Sequence, residues 1–360
     1  MLLKSKPEDF VVEEILDLNT KEKGNYVYFL LEKRNWTTLK ALQFIAKKLN
    51  TNAKRFAVAG QKDRYAVTKQ YFSAYQISER QMERVIIKDI KITLVGFGDA
   101  PIALGQLKGN KFRLVARELK KPLEYKTTVV NYYDNQRFGG YRPNLHKIGK
   151  EVLLGNYEQA IKLYLLYPFP NETEDYVAAR KWMEENWGSW DENKFPKYLI
   201  MERKIIGHLR KNPGDFKGSL KALPRQLYTM VTQSYQSYIF NETLARYLKR
   251  KYKNYSEVAY SVGTMVFVDE FEDIDWPLVG YETTLEGDIK EVCEEVMKEE
   301  GIWYETFNCE IPALASKGIT RKAMIQVKDM TLGDFKDEIQ YAQFFLPKGA
   351  YATVVMKSLE

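Results

Sequence analysis

Cysteine and histidine are scarce. Cys293 and Cys309 are the only thiols in 360 residues, and His146 and His208 the only imidazoles. A disulfide framework is excluded, although a single bridge stays open. No Cys-x-x-Cys or His-x-x-x-His spacing occurs, so no metal site of the zinc-finger or zincin type is expected. Long apolar runs are missing too. The longest, such as residues 26–31, fall far short of the roughly 20 residues a membrane span needs, and no membrane partner is expected. The opening Met-Leu-Leu-Lys-Ser-Lys-Pro-Glu-Asp has charge and a Pro where a signal peptide would be apolar. A cytoplasmic protein is the expectation. No Rossmann or P-loop motif occurs, and no cofactor is expected. Repeats and low-complexity linkers are absent as well.

Hydrophobic residues make up 45%, ordinary for a globular chain. The length suggests two domains. Net charge is +7 and the pI about 8.9, which suits a polyanion partner without proving one. Aromatics are abundant: Tyr 25, Phe 18 and Trp 6. Most must be core. Some interleave with cations, as in Lys69-Gln-Tyr-Phe and Tyr132-Tyr-Asp-Asn-Gln-Arg-Phe. Stacking a base on a ring while a cation holds phosphate needs that mixture.

Periodicity predicts strands over residues 10–15, 26–32, 56–59, 70–74, 91–97 and 111–117. Thr37 or Thr38 would cap a helix to about Leu49, with Leu39, Leu42, Ile45 and Leu49 near helical spacing. From about residue 148 the pattern turns helical: 148–166, 174–187, 219–251 as one helix or two with Pro224 near the start, and 284–299. The basic end of the third, residues 246–253, reads as a solvated face. Short strands are expected over 261–268, and final strands over 323–327, 339–345 and 351–356. Strands at both ends with helices between predict an α+β protein: one sheet domain, residues 1–150 and 318–360, interrupted by a mostly helical insertion, 151–317.

Four segments carry candidate chemistry. In Ala59-Gly-Gln-Lys-Asp-Arg-Tyr-Ala-Val-Thr-Lys-Gln70 a strand ends and a turn presents Gln61, Lys62, Asp63 and Arg64. Gly60 is expected to permit a sharp bend there. A carboxylate between two cations is favoured in its ionised form. On a rigid turn it can act as nucleophile or base. On composition alone, a plain charged hairpin tip is the favoured reading. Asn131-Tyr-Tyr-Asp-Asn-Gln-Arg-Phe-Gly-Gly140 offers an amide to read a base edge, rings to stack and Arg137 for phosphate. It also reads as a half-buried helix end closed by Gly139. Gln233-Ser-Tyr-Gln-Ser-Tyr-Ile-Phe-Asn241 places Tyr235, Tyr238 and Ile239 on one helix face, a core stripe. Its amides Gln233 and Asn241, if buried, need partners. Phe344-Phe-Leu-Pro-Lys-Gly-Ala-Tyr-Ala-Thr-Val-Val355 reads as a turn followed by a buried strand.

Together, in this order, these segments resemble the TruD family of pseudouridine synthases over nearly the whole chain. Lys4-Ser-Lys-Pro-Glu-Asp-Phe-Val-Val-Glu resembles the family's opening motif, and residues 59–70 its catalytic motif. Residues 131–139 resemble Asn-x-Phe-x-x-Gln-Arg-Phe-Gly, with Tyr133 where the family has Phe. The resemblance implies a pseudouridine synthase core with a mixed, mainly antiparallel sheet and a TRUD-type insertion. It implies Asp63 as catalytic aspartate, and Phe10, Asn131 and Phe344 as holders of the target nucleotide. Lys4 would be a basic residue near the active site. Tyr133, Lys62, Arg64 and Arg137 complete the expected substrate-binding set. The implied partner is tRNA or another structured RNA, at the position-thirteen uridine in the family, with no obligate protein partner.

Pseudouridine formation breaks N1–C1′, turns the base and joins C5 to C1′. The balance needs no redox partner or group donor. Two other readings stay open. An RNA-binding protein that has lost catalysis would bind tRNA regardless of Asp63→Asn. A glycosidase-like hydrolase would need a second carboxylate, for which Asp9, Glu13 and Asp134 are candidates, and would release free uracil.

Overall fold

A computed structural model describes residues 1–270 and 272–360. The chain runs β1 (Phe10–Ile15), β2 (Tyr26–Arg34), α1 (Thr38–Lys48), β3 (Phe56–Val58), β4 (Val67–Tyr75), α2 (Glu79–Glu83), β5 (Ile90–Gly98), β6 (Gly109–Ala116) and β7 (Thr128–Val130). The middle holds α3 (Leu145–Leu153), α4 (Tyr157–Leu166), α5 (Glu174–Glu185), α6 (Ile200–Lys211), α7 (Phe216–Lys221), α8 (Arg225–Lys251), β8 (Ser256–Tyr260), β9 (Gly263–Phe267), β10 (Asp275–Leu278), α9 (Gly287–Glu299) and β11 (Ile319–Lys322). It closes with β12 (Met324–Gln326), β13 (Lys328–Leu332), β14 (Gln340–Pro347) and α10 (Ala352–Leu359).

Two compact units result: Met1–Val129 with Ile325–Glu360, and Val130–Met324. The pattern-based limits lay at 150/151 and 317/318. Packing explains the difference. Leu145 and Ile148 belong to the helical core of the second unit. At the other end β11 pairs with β10, Ile319 opposite Leu278, which keeps that stretch with the same unit.

The first unit is built on one sheet in the order β13-β14-β6-β1-β4-β2-β5, with β3 also on β4. Only β1 and β4 run parallel, Val11 opposite Val67; the other pairs of this sheet are antiparallel. The sheet is therefore mixed and mainly antiparallel, and the α+β expectation holds. Strand β4 is shared along its length. Its start, Val67 to Lys69, lies beside β1, and Phe72 to Ala74 lie beside β3. The turn between β3 and β4 is thus set against a fixed strand at each end.

Thr37 caps α1, its side chain accepting from the Lys40 N–H. The helix buries Ala41, Leu42, Ile45 and Ala46 against Val27, Phe29, Leu31 and Phe72. Each large side chain so buried contributes about 1.5–3 kcal/mol. Leu39, expected on that face, is 56% exposed.

In the second unit α3 to α9 surround a core that includes Tyr235, Ile239, Ile205 and Phe307. The tyrosine stripe of α8 is core, as expected. The expected helix over 148–166 is two helices, broken at Gly155, whose φ is 78°. The one-or-two question at 219–251 resolves as α7 and α8, with Pro224 as the α8 N-cap. Residues 351–356 form no strand: they begin α10. Both cysteines are free and buried.

Candidate active site

The first unit holds Asp63 on the turn between β3 and β4. Three side chains, Thr38, Gln70 and Lys33, fix the backbone of that turn. Thr38 Oγ1 accepts from the Lys62 N–H at 3.0 Å and donates to Gln70 Oε1 at 2.7 Å. Gln70 Nε2 donates to the Gly60 carbonyl at 3.0 Å. Lys33, buried at 1% exposure, reaches up from β2 and donates to the carbonyls of Trp36 and Asp63 at 2.6 and 2.9 Å. Lys62 turns inward and pairs with Glu14 Oε1 at 2.6 Å. These side chains are 7% and 0% exposed. Lys62 was expected to face substrate; here it is a buried counter-ion that ties the turn to β1. Arg64 is exposed. Gly60 is expected from sequence to permit a sharp bend. Its φ is not left-handed, and an added Cβ would meet nothing nearer than 3.8 Å.

The Asp63 carboxylate accepts from Lys4 Nζ. That ammonium lies 4.0 Å above the Phe10 ring. Lys4 sits at φ 59°, a conformation rare for a residue with a side chain. Phe10 meets Phe112 edge-on at 6.1 Å, and Phe112 meets Phe344 at 5.8 Å. The structure therefore brings Lys4, Asp63, Phe10 and Phe344 into one run of contacts across β1, β6 and β14. Phe344 itself is fully buried. Asp9, a candidate second carboxylate, is committed elsewhere: Arg117 grips it with two bonds of 2.9 Å. That hydrogen bonding holds its carboxyl below the usual range.

In the second unit residues 135–138 form a 3-10 turn closed by Gly139 at φ 112°. A Cβ there would lie 2.1 Å from the Arg142 carbonyl, so the position needs glycine. Asn131 donates to the Lys322 carbonyl at 2.8 Å and accepts from Arg321 at 2.6 Å. Arg321 in turn lies 4.2 Å over the Tyr133 ring, and Arg137 lies 5.3 Å from its centre. Asn241 clamps the Tyr133 backbone, accepting from its N–H at 3.0 Å and donating to its carbonyl at 2.8 Å. Arg137 donates to Ser237 at 2.9 Å. Asn131, Tyr133 and Arg137 thus come together, with two guanidinium groups close to the Tyr133 ring. Tyr133 and Arg137 also line a cavity of about 290 Å³ with Thr232, Gln236 and Ser316. Of the α8 amides, Asn241 is buried and satisfied, whereas Gln233 is exposed. The buried one is Gln236, which donates to the Val279 carbonyl and to Ser316.

Asn241 is marked from sequence only as an amide that needs a partner if buried; Lys33, Glu14 and Arg321 are not singled out. A signal existed for two of them. Lys33 follows Val27, Phe29 and Leu31 on the inward phase of β2. Glu14 follows Phe10 and Val12 on that of β1. A charge on the buried phase of a strand needs a partner. Arg321 had no such mark, because its partner lies 190 residues away.

Comparison with known proteins gives the class of this α+β chain, which matches RNA-modifying isomerases. The family profile described as tRNA pseudouridine synthase D (TruD) matches residues 1–268 and 268–359. A Methanopyrus kandleri protein described as "Probable tRNA pseudouridine synthase D" is 34% identical, covering 94% of this chain and 86% of its own. A Methanosarcina mazei protein of the same description is 32% identical over 99% of this chain and 92% of its own. A crystal structure from Methanosarcina mazei, described as that of the "Putative tRNA pseudouridine synthase D (TruD)", matches with a TM-score of 0.74 at 30% identity, covering 99% of this chain and 92% of that one. The chain belongs to the TruD family of tRNA pseudouridine synthases.

Proposed function

We propose that this protein isomerises uridine to pseudouridine in tRNA, with Asp63 as the catalytic carboxylate. The observation that carries the reading is the Asp63 turn: a carboxylate fixed by buried anchors, with Lys4 as its counter-ion beside the Phe10 ring. Preorganised charge on a rigid turn is what attack at a sugar carbon requires.

The reaction is written in balance. The N1–C1′ bond breaks and its electron pair stays on the base. The uracil turns within the pocket. C5 then bonds to C1′, and the C5 proton leaves as N1 regains one. Asp63 either attacks C1′ to form an ester, from which C5 then displaces the carboxylate, or removes the C2′ proton to form a glycal and returns that proton to C2′ as C5 adds to C1′. Both routes end in an isomer of the starting RNA, so no redox group or donor is consumed. The target base must leave its stack, at a cost of a few kcal/mol. Phe10, Asn131 and Tyr133 are the residues proposed to hold it, with buried Phe344 backing Phe10 through Phe112, and Tyr133 or a water takes the C5 proton. Arg64 and Arg137 are the proposed phosphate contacts. The position-thirteen uridine is the first site to examine. The work belongs in the cytoplasm, and the reaction as written calls for no protein partner.

The test is tritium release from tRNA transcripts carrying 5-tritiated uridine, using wild type and Asp63→Asn. Release by wild type alone, with the RNA chain intact, is the expected result. Equal release by Asp63→Asn would remove Asp63 from the chemistry. Free uracil in the supernatant would replace isomerisation by hydrolysis.

A further inference from the structure

Between Glu32 and Asp63 the chain has no acidic residue, yet it carries eight cations. Three of them are already placed: Lys33 is buried, Arg34 pairs with Glu8, and Lys62 pairs with Glu14. The other five, Lys40, Lys47, Lys48, Lys54 and Arg55, are exposed. None of them has a carboxylate within 4 Å among the described residues. The basic run at the end of α8 is a useful contrast. There Arg246 pairs with Glu295 and Glu299, Lys249 with Glu257, Arg250 with Glu295, and Lys251 with Glu272. That face is neutralised within the protein, whereas the α1 face is not.

Position adds to charge. The first turn of α1 touches the Asp63 turn through the bond from the Lys62 N–H to Thr38. From there the helix leads away for about 15 Å at 1.5 Å per residue. Lys47 and Lys48 sit at its far end, followed by Lys54 and Arg55 on the next 3-10 turn. Phe44, 48% exposed, stands between them and Lys40. Cations in file with an exposed ring suit a nucleic-acid strand, phosphate on the ammonium groups and a base on the ring.

We infer that the exposed face of α1, with residues 53–55, is a track for the phosphate backbone of the substrate RNA beside the target uridine. The inference rests on the RNA-modifying reading above and adds the surface that grips the RNA outside the pocket. Each lysine on a phosphate releases a counter-ion, so the track sets the salt dependence of binding.

The experiment compares wild type with the triple variant Lys47→Ala, Lys48→Ala, Lys54→Ala and with the triple variant carrying Arg at the same positions. The probe is a pool of unmodified tRNA transcripts. Kd is measured from about 50 to 300 mM KCl, a range over which phosphate contacts are titrated out. The single-turnover rate is measured at saturating RNA. The alanine triple is expected to flatten the slope of log affinity against log salt by roughly 2 to 3, about one per lysine. The arginine triple should keep the wild-type slope, and all three proteins should react at the same saturated rate. Equal slopes in all three proteins would overturn the track. If wild type binds the transcripts without modifying them, the proposed reaction fails while the slope comparison still decides the track. If wild type does not bind them, both readings fall.

Discussion

Lys33 carries a charge into the apolar face of β2, and its burial pushes the ammonium down to about 8. Its unfolded value is the ordinary 10.5. Between those values the unfolded chain binds more protons than the native one, so stability rises with pH across that window. Below about 8 the full cost of burying the charge is present. The stability of wild type relative to Lys33→Met is therefore expected to increase from pH 8 to 10, measured by urea unfolding at each pH. A flat difference would mean that Lys33 is neutral or solvated throughout. In activity, losing the donor to the Asp63 and Trp36 carbonyls should cut kcat about 10- to 100-fold, since small displacements of a reacting group cost that much. KM should hold. The Lys62–Glu14 pair makes a second test. Lys62→Met alone leaves a buried carboxylate and should cost about 3–5 kcal/mol. Adding Glu14→Leu should recover most of it, and a strictly additive double variant would show that the two charges do not interact. The turn that carries Asp63 was legible from sequence, because strand residues flank the charged stretch 61–64. Lys33 and Glu14 were marked by their strand phase, yet a phase shows only that a charge is buried, not what it holds.

Among the elements, the clearest contrast is between two glycines. Gly139→Ala must place a Cβ against the Arg142 carbonyl at positive φ, so a loss above about 1 kcal/mol is expected. Thermal unfolding should report it as a fall of a few degrees. Gly60→Ala has room and an ordinary backbone, and should stay within about 0.5 kcal/mol. A large loss at Gly60 would mean that the turn uses a conformation not described above. Element identity was mostly legible. The strands from β1 to β6 followed their period, and Thr37 marked the start of α1. The last element did not. Residues 351–356 look like a strand through Thr353, Val354 and Val355. In the structure Ala352, Val355, Met356 and Leu359 are buried at helical spacing. Six residues cannot separate the two periods, and packing decides.

Across the whole molecule, the second unit enters and leaves the first at neighbouring points. The Val327 N–H donates to the Thr127 carbonyl at 2.8 Å. A chain in which a short Gly-Ser linker replaces residues 130–324 is expected to keep the first unit folded, with a single cooperative unfolding transition and native-like far-UV circular dichroism. It should make no pseudouridine, because Asn131 and Tyr133 are gone. A molten spectrum would show that the first unit does not fold alone. The discontinuous plan was legible in outline, since strands bracket a helical stretch. Its limits were not, because Leu145 and residues 319–322 declare their side only through contacts distant in sequence.

Strand β6 waits for its partner. Leu123, just beyond it, bonds to Gln340 on β14 across 217 residues of chain. A ribosome adds about 5–20 residues per second, so this edge stays open for roughly ten to forty seconds of synthesis. During that time its hydrogen-bonding groups face solvent, or whatever else is nearby. The helical middle emerges and can collapse first. The nascent chain is thus most exposed to mispairing while its own last strand is still being made.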